Sequence, residues 1–259
     1  MTGDLDGKTA LVVGAGPGVG RACAEALGDA GANVVVAARN GARLADLADE
    51  VGRASGRAVV PVAVDVGDLA SCGRLVDATV ERFGGLDVLV NVATSGGEYG
   101  LIGNADWSAW RQAFEVNVIG TMELSRLAGQ AMAAGGGGSI VQIGTVGTHS
   151  LPAGRACYTA TKQAMVAASL TLAKELGPSN VRVNVVTPGF ITGGPLDALL
   201  EGMATRAGTS VDDASQRMAA SASLRRHVDP ADVAQAVLFL AGPGARNVTG
   251  VELPVTAGR

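Results

Sequence analysis

The sequence predicts an α/β protein in which one parallel sheet is covered by helices on both faces. Short runs rich in valine, alanine and leucine alternate with longer segments that have helical periodicity. The runs are apolar on both faces, which is typical of strands buried from both sides. Connections long enough to hold a helix place such strands parallel and in right-handed order. We therefore expect a doubly wound sheet of about seven strands.

The elements can be placed in chain order. The first strand leads into a helix over Arg21–Ala30, and Asp68 is positioned to cap a later helix through its side-chain oxygen. Gly135–Gly138 marks a flexible turn before the fifth strand, and Pro230 opens the last helix. The strand candidates are Thr9–Val13, Asn33–Ala37, Ala58–Val64, Leu86–Val90, Ser139–Ile143, Val181–Val186 and Val251–Val255.

Length and composition favour a single domain over residues 1–259. With 47% apolar and 17% charged residues, the chain can bury a sizeable core. A net charge of -4 offers no basic stripe, so we expect neither nucleic acid nor a membrane surface as partner. The three cysteines, Cys23, Cys72 and Cys157, lack CxxC spacing, which indicates reduced thiols rather than disulfides or a metal site. The first residues lack the pattern of a signal peptide, and no run reaches the ~18 apolar residues of a membrane span, so we expect a cytoplasmic protein.

One irregular stretch, at about residues 191–227, interrupts the alternation. It is mixed in polarity and carries two glycines and a proline near its start. Long insertions after the strands of such sheets often fold as lids over a ligand. We therefore expect short helices that cover a cleft.

A glycine-rich loop connects the first strand to the first helix. It reads Gly14-Ala15-Gly16-Pro17-Gly18-Val19-Gly20, in which positions 14, 18 and 20 fit the spacing G-x-x-x-G-x-G. Glycines let the backbone approach a pyrophosphate, and the N–H groups of the helix N-terminus stabilise its charge. Between two strands, this loop predicts a Rossmann-type fold that binds a dinucleotide through Gly14, Gly16, Gly18, Val19 and Gly20.

The end of the second strand bears on which dinucleotide binds. An acidic residue there would bond the ribose 2′-hydroxyl of NAD, but the sequence reads Ala37-Ala38-Arg39-Asn40. Arg39 is suited to hold the 2′-phosphate of NADP by charge-assisted hydrogen bonds. In the alternative, Arg39 stacks on the adenine ring or faces water, and NAD remains the cofactor.

Tyr158 and Lys162 stand four residues apart on a predicted helix and so share one face. A nearby ammonium favours the phenolate and lowers the pKa of a phenol, which makes it a better acid–base group near neutral pH. By itself the pair also fits a solvated helix surface. Its position after the fifth strand, in a chain with a dinucleotide loop, favours catalysis.

Together these motifs resemble the single-domain short-chain dehydrogenases/reductases over nearly the whole chain. The matching residues are Gly14, Gly18, Gly20, Asp65-Val66, Asn91, Val116-Asn117, Tyr158, Lys162 and Pro188-Gly189. The resemblance implies that Tyr158 exchanges a proton with the substrate, that Lys162 binds the nicotinamide ribose and lowers the phenol pKa, and that Asn117 holds a relay water through its backbone. It places further cofactor contacts at Asp65, Val66, Asn91, Ala93, Pro188, Gly189 and Ile191.

The sequence departs from the family pattern at several positions. The catalytic serine of the family is replaced by Thr145, which keeps the hydroxyl but adds a methyl group; the alternative is an ordinary strand residue. The Asn-Asn-Ala-Gly motif reads Asn91-Val92-Ala93-Thr94, and the terminal Asp-Gly-Gly reads Thr256-Ala257-Gly258. The family has a threonine five residues after the proline of Pro188-Gly189. This sequence has Gly193 at that position, and Thr192 lies one residue earlier. We expect the methyl group of Thr145 to narrow the pocket and alter the substrate range, and the loop at Asn91–Thr94 to be reshaped.

The sequence therefore predicts an NAD(P)(H)-dependent oxidoreductase that transfers a hydride between nicotinamide and a ketone or secondary alcohol, with NADP favoured. Two alternatives stay open: an NAD-dependent alcohol dehydrogenase of the same family, and a non-catalytic dinucleotide-binding regulator. The resemblance implies a homotetramer formed by the helices Trp107–Ala133 and Tyr158–Leu176. His149 either lines the substrate entrance or is solvated. Basic residues of the predicted lid either meet an anionic substrate group or face water: Arg206, Arg217, Arg225 and Arg226.

Overall fold

The strands form one parallel sheet in the computed structural model, which describes residues 4–259. Met1–Gly3, part of the segment that lacks a signal-peptide pattern, lie outside the described residues. The sheet order is β3-β2-β1-β4-β5-β6-β7. All the strand candidates are confirmed, with ends that differ by no more than two residues. The strands are β1 Thr9–Val13, β2 Asn33–Ala38, β3 Val59–Ala63, β4 Val88–Asn91, β5 Gly138–Ile143, β6 Val181–Pro188 and β7 Glu252–Val255.

Helices cover both faces of this sheet, as expected for a Rossmann-type doubly wound fold. The helices are α1 Val19–Asp29, α2 Gly41–Ser55, α3 Leu69–Phe83, α4 Trp107–Phe114, α5 Thr121–Ala134, α6 Gly147–Ser150, α7 Ala156–Leu176, α8 Gly194–Ala207, α9 Val211–Ala219 and α10 Pro230–Ala241. Short 3₁₀ turns lie at Ile102–Asn104, Gly177–Ser179 and Pro243–Ala245. Between residues 4 and 259, no helix combines the length and apolar character that a membrane crossing requires.

The core lies in two layers, one on each face of the sheet. Along β1, Val12 packs into the layer that contains α1, α2 and α10, whereas Leu11 packs into the layer of α3, α5 and α7. This division follows from the period of two along a strand. Because both faces are buried, every β1 residue can be apolar, which explains the run that predicted it.

Local signals set several helix ends as expected. Asp68 precedes α3 and its carboxylate accepts a hydrogen bond from the Ala70 N–H at 3.0 Å. Asp229 caps α10, with Pro230 at the first helical position. The glycine run after α5 makes the predicted turn, with positive φ at Gly136 and Gly137, although Gly138 already belongs to β5.

One expectation is wrong in detail. The segment Trp107–Ala133 is not a single helix, because a π-helical segment over Glu115–Gly120 separates α4 from α5. A tight contact accompanies this irregularity: a Cβ on Gly120 would lie 1.8 Å from the Val66 carbonyl oxygen. No sequence period announces such a segment, since it is stabilised by contacts with distant parts of the chain.

Candidate active site

The glycine loop lies at the carboxyl end of β1, which stands between β2 and β4 in the sheet. The chain builds the sheet outward in opposite directions from this strand, so the loop lies at the topological switch point. Gly14 has a φ of 87°, and a Cβ there would lie only 2.3 Å from the Ala93 nitrogen. A Cβ on Gly20 would lie 2.3 Å from the Gly14 carbonyl oxygen. Gly16 and Gly18, in contrast, have nothing within 4 Å of such an atom. The loop is therefore closed against the protein at Gly14 and Gly20 and open at the other two positions.

A cavity of about 480 Å³ opens beside this loop, along the carboxyl ends of β1 to β4. Several predicted cofactor residues lie in its wall together. The lining residues are Val13, Gly14, Gly16, Ala38, Arg39, Val64, Asp65, Val66, Val92, Ala93, Thr94, Ser95, Gly96, Gln112 and Val116. A ligand pocket at this switch point is what the fold favours. The first N–H groups of α1 have no partner within the helix and are suited to phosphate oxygens.

Other predicted cofactor residues lie outside that wall. Asn91 is buried, and its side chain donates to the Ser125 hydroxyl at 3.1 Å, which indicates a role in holding β4 against α5. The Gly189 N–H donates to the Val255 carbonyl at 2.9 Å, just after Pro188 ends β6. Ile191 forms an isolated bridge with Val228. Gly18, Val19 and Gly20 belong to the start of α1 and border the loop rather than the cavity wall.

The predicted catalytic residues meet at the carboxyl end of β5. Thr145 lies two residues beyond the end of β5, so it is not an ordinary strand residue, and its side chain is close enough to the Tyr158 phenol to lower the pKa of that phenol. Its hydroxyl oxygen also accepts the Gly147 N–H at 3.2 Å. Lys162 is buried and donates from Nζ to the Ile143 carbonyl at 2.8 Å. The fold thus brings the Thr145 hydroxyl, the Tyr158 phenol and the Lys162 ammonium group together beyond the end of β5.

The pKa shifts of Tyr158 and Lys162 differ from the expectation. Burial raises the pKa of the Tyr158 phenol, while the hydrogen bond with Thr145 and the positive charge of Arg155 lower it in part. Burial also lowers the pKa of Lys162 from 10.5 to about 8. The groups that favour the phenolate in this structure are therefore Thr145 and Arg155, and the role of Lys162 in lowering the phenol pKa stays a prediction.

Asn117 lies in the π-helical segment and connects two regions of the site. Its side-chain oxygen accepts the Ser95 N–H at 2.6 Å and the Thr94 hydroxyl at 3.2 Å. Its nitrogen donates to the Ser95 carbonyl and to the Thr161 hydroxyl, both at 2.9 Å. The side chain thus fixes the loop after β4 against α7. The water-holding role of its backbone stays a prediction.

Sequence reasoning missed a second connection between the loops. Arg155, the residue before α7, has its guanidinium carbon 3.8 Å from the centroid of the Tyr99 ring and 4.5 Å from that of the Tyr158 ring. Its Nη1 donates to the Gly96 carbonyl at 3.2 Å. The available signal was its position three residues before Tyr158, which places it near the catalytic residue whatever the loop conformation.

The segment predicted to be a lid contains α8 and α9. These helices share a small apolar cluster that includes Leu196, Leu200 and Met218, separate from the two main layers. The Ser215 hydroxyl lies 3.0 Å from Nε2 of His227 and joins α9 to the approach to α10. All four basic residues considered for substrate contact are exposed: Arg206, Arg217, Arg225 and Arg226. Movement of this segment as a lid stays a prediction.

His149 lies in the one-turn helix α6, beside the end of the sheet. Its side chain is exposed, and its Nε2 is 4.0 Å from a carboxylate oxygen of Glu252. The same carboxylate accepts a hydrogen bond from the Thr187 hydroxyl. His149 thus contacts the β6–β7 edge, and its position at a substrate entrance stays a prediction.

The sequence and the fold are both similar to those of known proteins. A family model described as enoyl-(acyl carrier protein) reductase matches residues 14–259. A short-chain dehydrogenase/reductase of Aspergillus oryzae is 34% identical, over 100% of this chain and 98% of its own. The structure is also similar to that of L-sorbose reductase from Gluconobacter frateurii complexed with NADPH and L-sorbose, with a TM-score of 0.93 and 30% identity over 100% and 98% of the two chains. For NAD+-bound xylitol dehydrogenase the TM-score is 0.91, with 27% identity over 98% and 99%.

Proposed function

The chain belongs to the short-chain dehydrogenase/reductase family, and we propose that it transfers a hydride reversibly between nicotinamide and a ketone or secondary alcohol, with NADP preferred. It is an oxidoreductase that uses NAD or NADP. The observation that carries the finer proposal is the position of the Thr145 side chain beside the Tyr158 phenol, close to the loop that Asn117 fixes. This arrangement argues against a non-catalytic regulator, which needs no phenol paired with a second hydroxyl.

The residues around the cavity fit a dinucleotide. Gly16 and Gly18 are open to a ligand that approaches the backbone, and the N-terminus of α1 favours a pyrophosphate beside them. Arg39 borders the cavity after β2 and would meet the adenosine ribose. Lys162 has three N–H donors, one of which is directed at Ile143, so two remain for the nicotinamide ribose hydroxyls.

When bound, the nicotinamide supplies or accepts the hydride. The work left to the protein is to orient the substrate and to move one proton. In reduction, the Thr145 hydroxyl and the Tyr158 phenol both donate hydrogen bonds to the carbonyl oxygen, which stabilises the charge that develops there. Tyr158 then transfers its proton to that oxygen, and in oxidation it receives the proton back.

Replacing the phenol tests this mechanism. In Tyr158→Phe the ring remains but the proton donor is lost, so we expect turnover of ketones to fall about 10²- to 10⁴-fold. The dissociation constant of NADPH, measured by fluorescence, should not change. Thr171→Ala is a matched control, because it removes an exposed hydroxyl from the same helix. Turnover of Tyr158→Phe at the rate of the unmodified protein would refute the mechanism.

The NADP preference depends on Arg39. A charge-assisted hydrogen bond to the 2′-phosphate contributes about 1.5–3 kcal/mol, so Arg39→Ala should weaken NADP binding about tenfold or more. NAD binding should change little, since NAD lacks that phosphate. Arg53→Ala, an exposed arginine in the last turn of α2, serves as the control. Equal losses for NAD and NADP would instead favour an NAD-linked alcohol dehydrogenase.

We further propose a cytoplasmic homotetramer that binds a small carbonyl or alcohol substrate. Apolar side chains near α4 and the start of α7 support the assembly, because Trp107 is 55% exposed and Leu101 is 65% exposed. A groove of about 590 Å³ beside them is lined by Trp110 and by residues of α7. The three free, buried cysteines are typical of a reducing compartment. Size-exclusion chromatography with light scattering should give a tetramer mass at micromolar concentration; a monomer would refute the assembly.

A further inference from the structure

Arg155 is a half-buried cation beside the catalytic phenol. The guanidinium carbon lies over the Tyr158 ring at 4.5 Å and over the exposed Tyr99 ring at 3.8 Å. Backbone hydrogen bonds fix the segment that carries it, from the Arg155 N–H to the Pro152 carbonyl at 3.2 Å and from the Thr159 N–H to the Arg155 carbonyl at 2.9 Å. The charge is therefore held over the Tyr158 ring by contact with the two aromatic rings and by the backbone of its own segment.

The guanidinium retains most of its hydrogen-bonding capacity. It has five N–H donors in one plane, and the Gly96 carbonyl, at 3.2 Å from Nη1, occupies one of them. Stacking on aromatic rings covers its faces and leaves the remaining in-plane donors available. Across residues 4–259, no carboxylate lies within ion-pairing distance of Arg155, although other arginines such as Arg21 and Arg126 are paired. A cation without a counter-ion in this place is suited to an anion brought by the substrate.

The distance to Tyr158 limits what that anion can be. Because the guanidinium lies over the phenol ring, a ketone whose oxygen bonds Tyr158 and Thr145 reaches Arg155 with a group only a few bonds from its carbonyl. A carboxylate matches the planar fork of a guanidinium with two parallel hydrogen bonds. We propose that Arg155 selects the substrate by binding a carboxylate next to the reacting carbonyl, so that the enzyme prefers short keto acids. This inference rests on the proposed function and names its substrate class.

Two loops must stay together for this site to exist. The Gly100 N–H donates to the Gly154 carbonyl at 3.0 Å, and Arg155 joins the same two loops through Gly96. Tyr99 supplies the outer ring of the stack. Replacing Tyr99 by Leu should therefore raise the KM for keto acids several-fold, whereas Tyr99→Phe, which keeps the ring face, should preserve the preference for acids over esters.

The test compares acids with their neutral esters. The probe pairs are acetoacetate with ethyl acetoacetate, and benzoylformate with methyl benzoylformate. The unmodified enzyme should have a kcat/KM at least tenfold higher for each acid than for its ester. In Arg155→Gln the ratio of kcat/KM for each acid to that for its ester should fall about 10- to 100-fold, the range for one charge-assisted interaction, because any effect of Arg155 on the Tyr158 phenol acts on acids and esters alike. Arg155→Lys should lie between the two, since it keeps the charge but not the fork.

Arg82→Gln is a control that matches the charge change and also removes a cation–π contact, with Phe83. It lies near the end of α3, at the opposite end of the sheet from Tyr158, so acids and esters should react as before. An unmodified enzyme that prefers the esters would overturn the proposal. So would an Arg155→Gln variant whose kcat/KM falls equally for acids and esters, or one that keeps the preference for acids.

A binding measurement separates this inference from the proposed function. Benzoate, which cannot be reduced, should bind the NADP-saturated enzyme in calorimetry and bind Arg155→Gln at least tenfold more weakly. The NADP affinity of both proteins should be the same. Benzoate binding that depends on Arg155, in an enzyme that reduces no ketone, would refute the proposed function alone. Benzoate binding that is absent or unchanged by the substitution would refute the role of Arg155.

Discussion

The cofactor side and the substrate side of the cavity are built by different means. On the cofactor side, the loop after β1 is shaped by its own backbone, above all by the close approach of Gly20 to Gly14. On the substrate side, the loops after β4 and β5 are held by side chains from distant positions, such as Asn117 on Ser95 and Arg155 on Gly96. The first side is therefore encoded locally and the second by tertiary contacts.

The largest effect is expected where the two sides touch, at Gly14. In Gly14→Ala the new Cβ would lie 2.3 Å from the Ala93 nitrogen, at a φ of 87° that alanine disfavours. Backbone strain and overpacking together should lower the free energy of unfolding by about 3 kcal/mol. Urea unfolding of the cofactor-free protein measures this. Gly16→Ala, where the Cβ meets nothing within 4 Å, should leave that stability nearly unchanged. Equal stability of the two variants would contradict the close contact.

The same contrast explains what the sequence predicts and what it does not. The strands, the glycine loop and the cluster of Thr145, Tyr158 and Lys162 follow from short-range patterns, because periodicity and motif spacing determine them. The π-helical segment depends on Gly120 against Val66, and the position of Arg155 depends on a loop some 60 residues away at Gly96. Such contacts leave no periodic signal in the sequence. The sequence therefore predicts which residues belong to the substrate side but not how they are arranged in space.

Lys162 sharpens the comparison, because it is an ionisable residue buried on the substrate side. Burial lowers its pKa from 10.5 to about 8, so the folded protein holds this proton more weakly than the unfolded chain. Stability is therefore reduced by about 3 kcal/mol below pH 8, and the reduction disappears as the pH rises from 8 towards 10.5. Lys162→Met should remove it but leave the Ile143 carbonyl without its donor, which costs about 1 kcal/mol.

We thus expect Lys162→Met to be inactive yet about 2 kcal/mol more stable than the unmodified protein at pH 7, without cofactor. The gain should shrink between pH 8 and 10 in urea titrations at each pH. Lys174→Met, on the exposed face of the same helix, should change stability little at any pH. A Lys162→Met variant that is less stable at pH 7 would show that the ammonium is fully compensated where it lies.

Asn117 tests whether side chains hold the substrate side. Asn117→Ala would remove the side-chain partner of both main-chain groups of Ser95 and the donor to the buried Thr161 hydroxyl, which keeps its own bond to the Tyr158 carbonyl. We expect a loss of about 2 kcal/mol in stability, and a larger fall in kcat than in NADPH affinity, because the loop after β4 borders the reacting end of the cavity. Ser95→Ala, which keeps those main-chain bonds, is the control. If kcat of Asn117→Ala is unchanged, the loop does not depend on this side chain.

The smallest effect is expected at Ala257, after β7, where the sequence departs from the family glycine. Ala257 has a φ of 56°, and its carbonyl accepts the Leu224 N–H at 2.9 Å, close to the end of the predicted lid. Glycine adopts this conformation without strain, so Ala257→Gly should stabilise the protein by about 0.5–1 kcal/mol, net of the greater freedom of glycine when unfolded. The melting temperature should rise by roughly 2–4 °C per kcal/mol.

Ala45→Gly is the control, at an exposed position within α2. It should lower the melting temperature, since glycine in the middle of a helix is destabilising. A fall in the melting temperature for both variants would mean that tertiary contacts, rather than backbone preference, determine the conformation at Ala257.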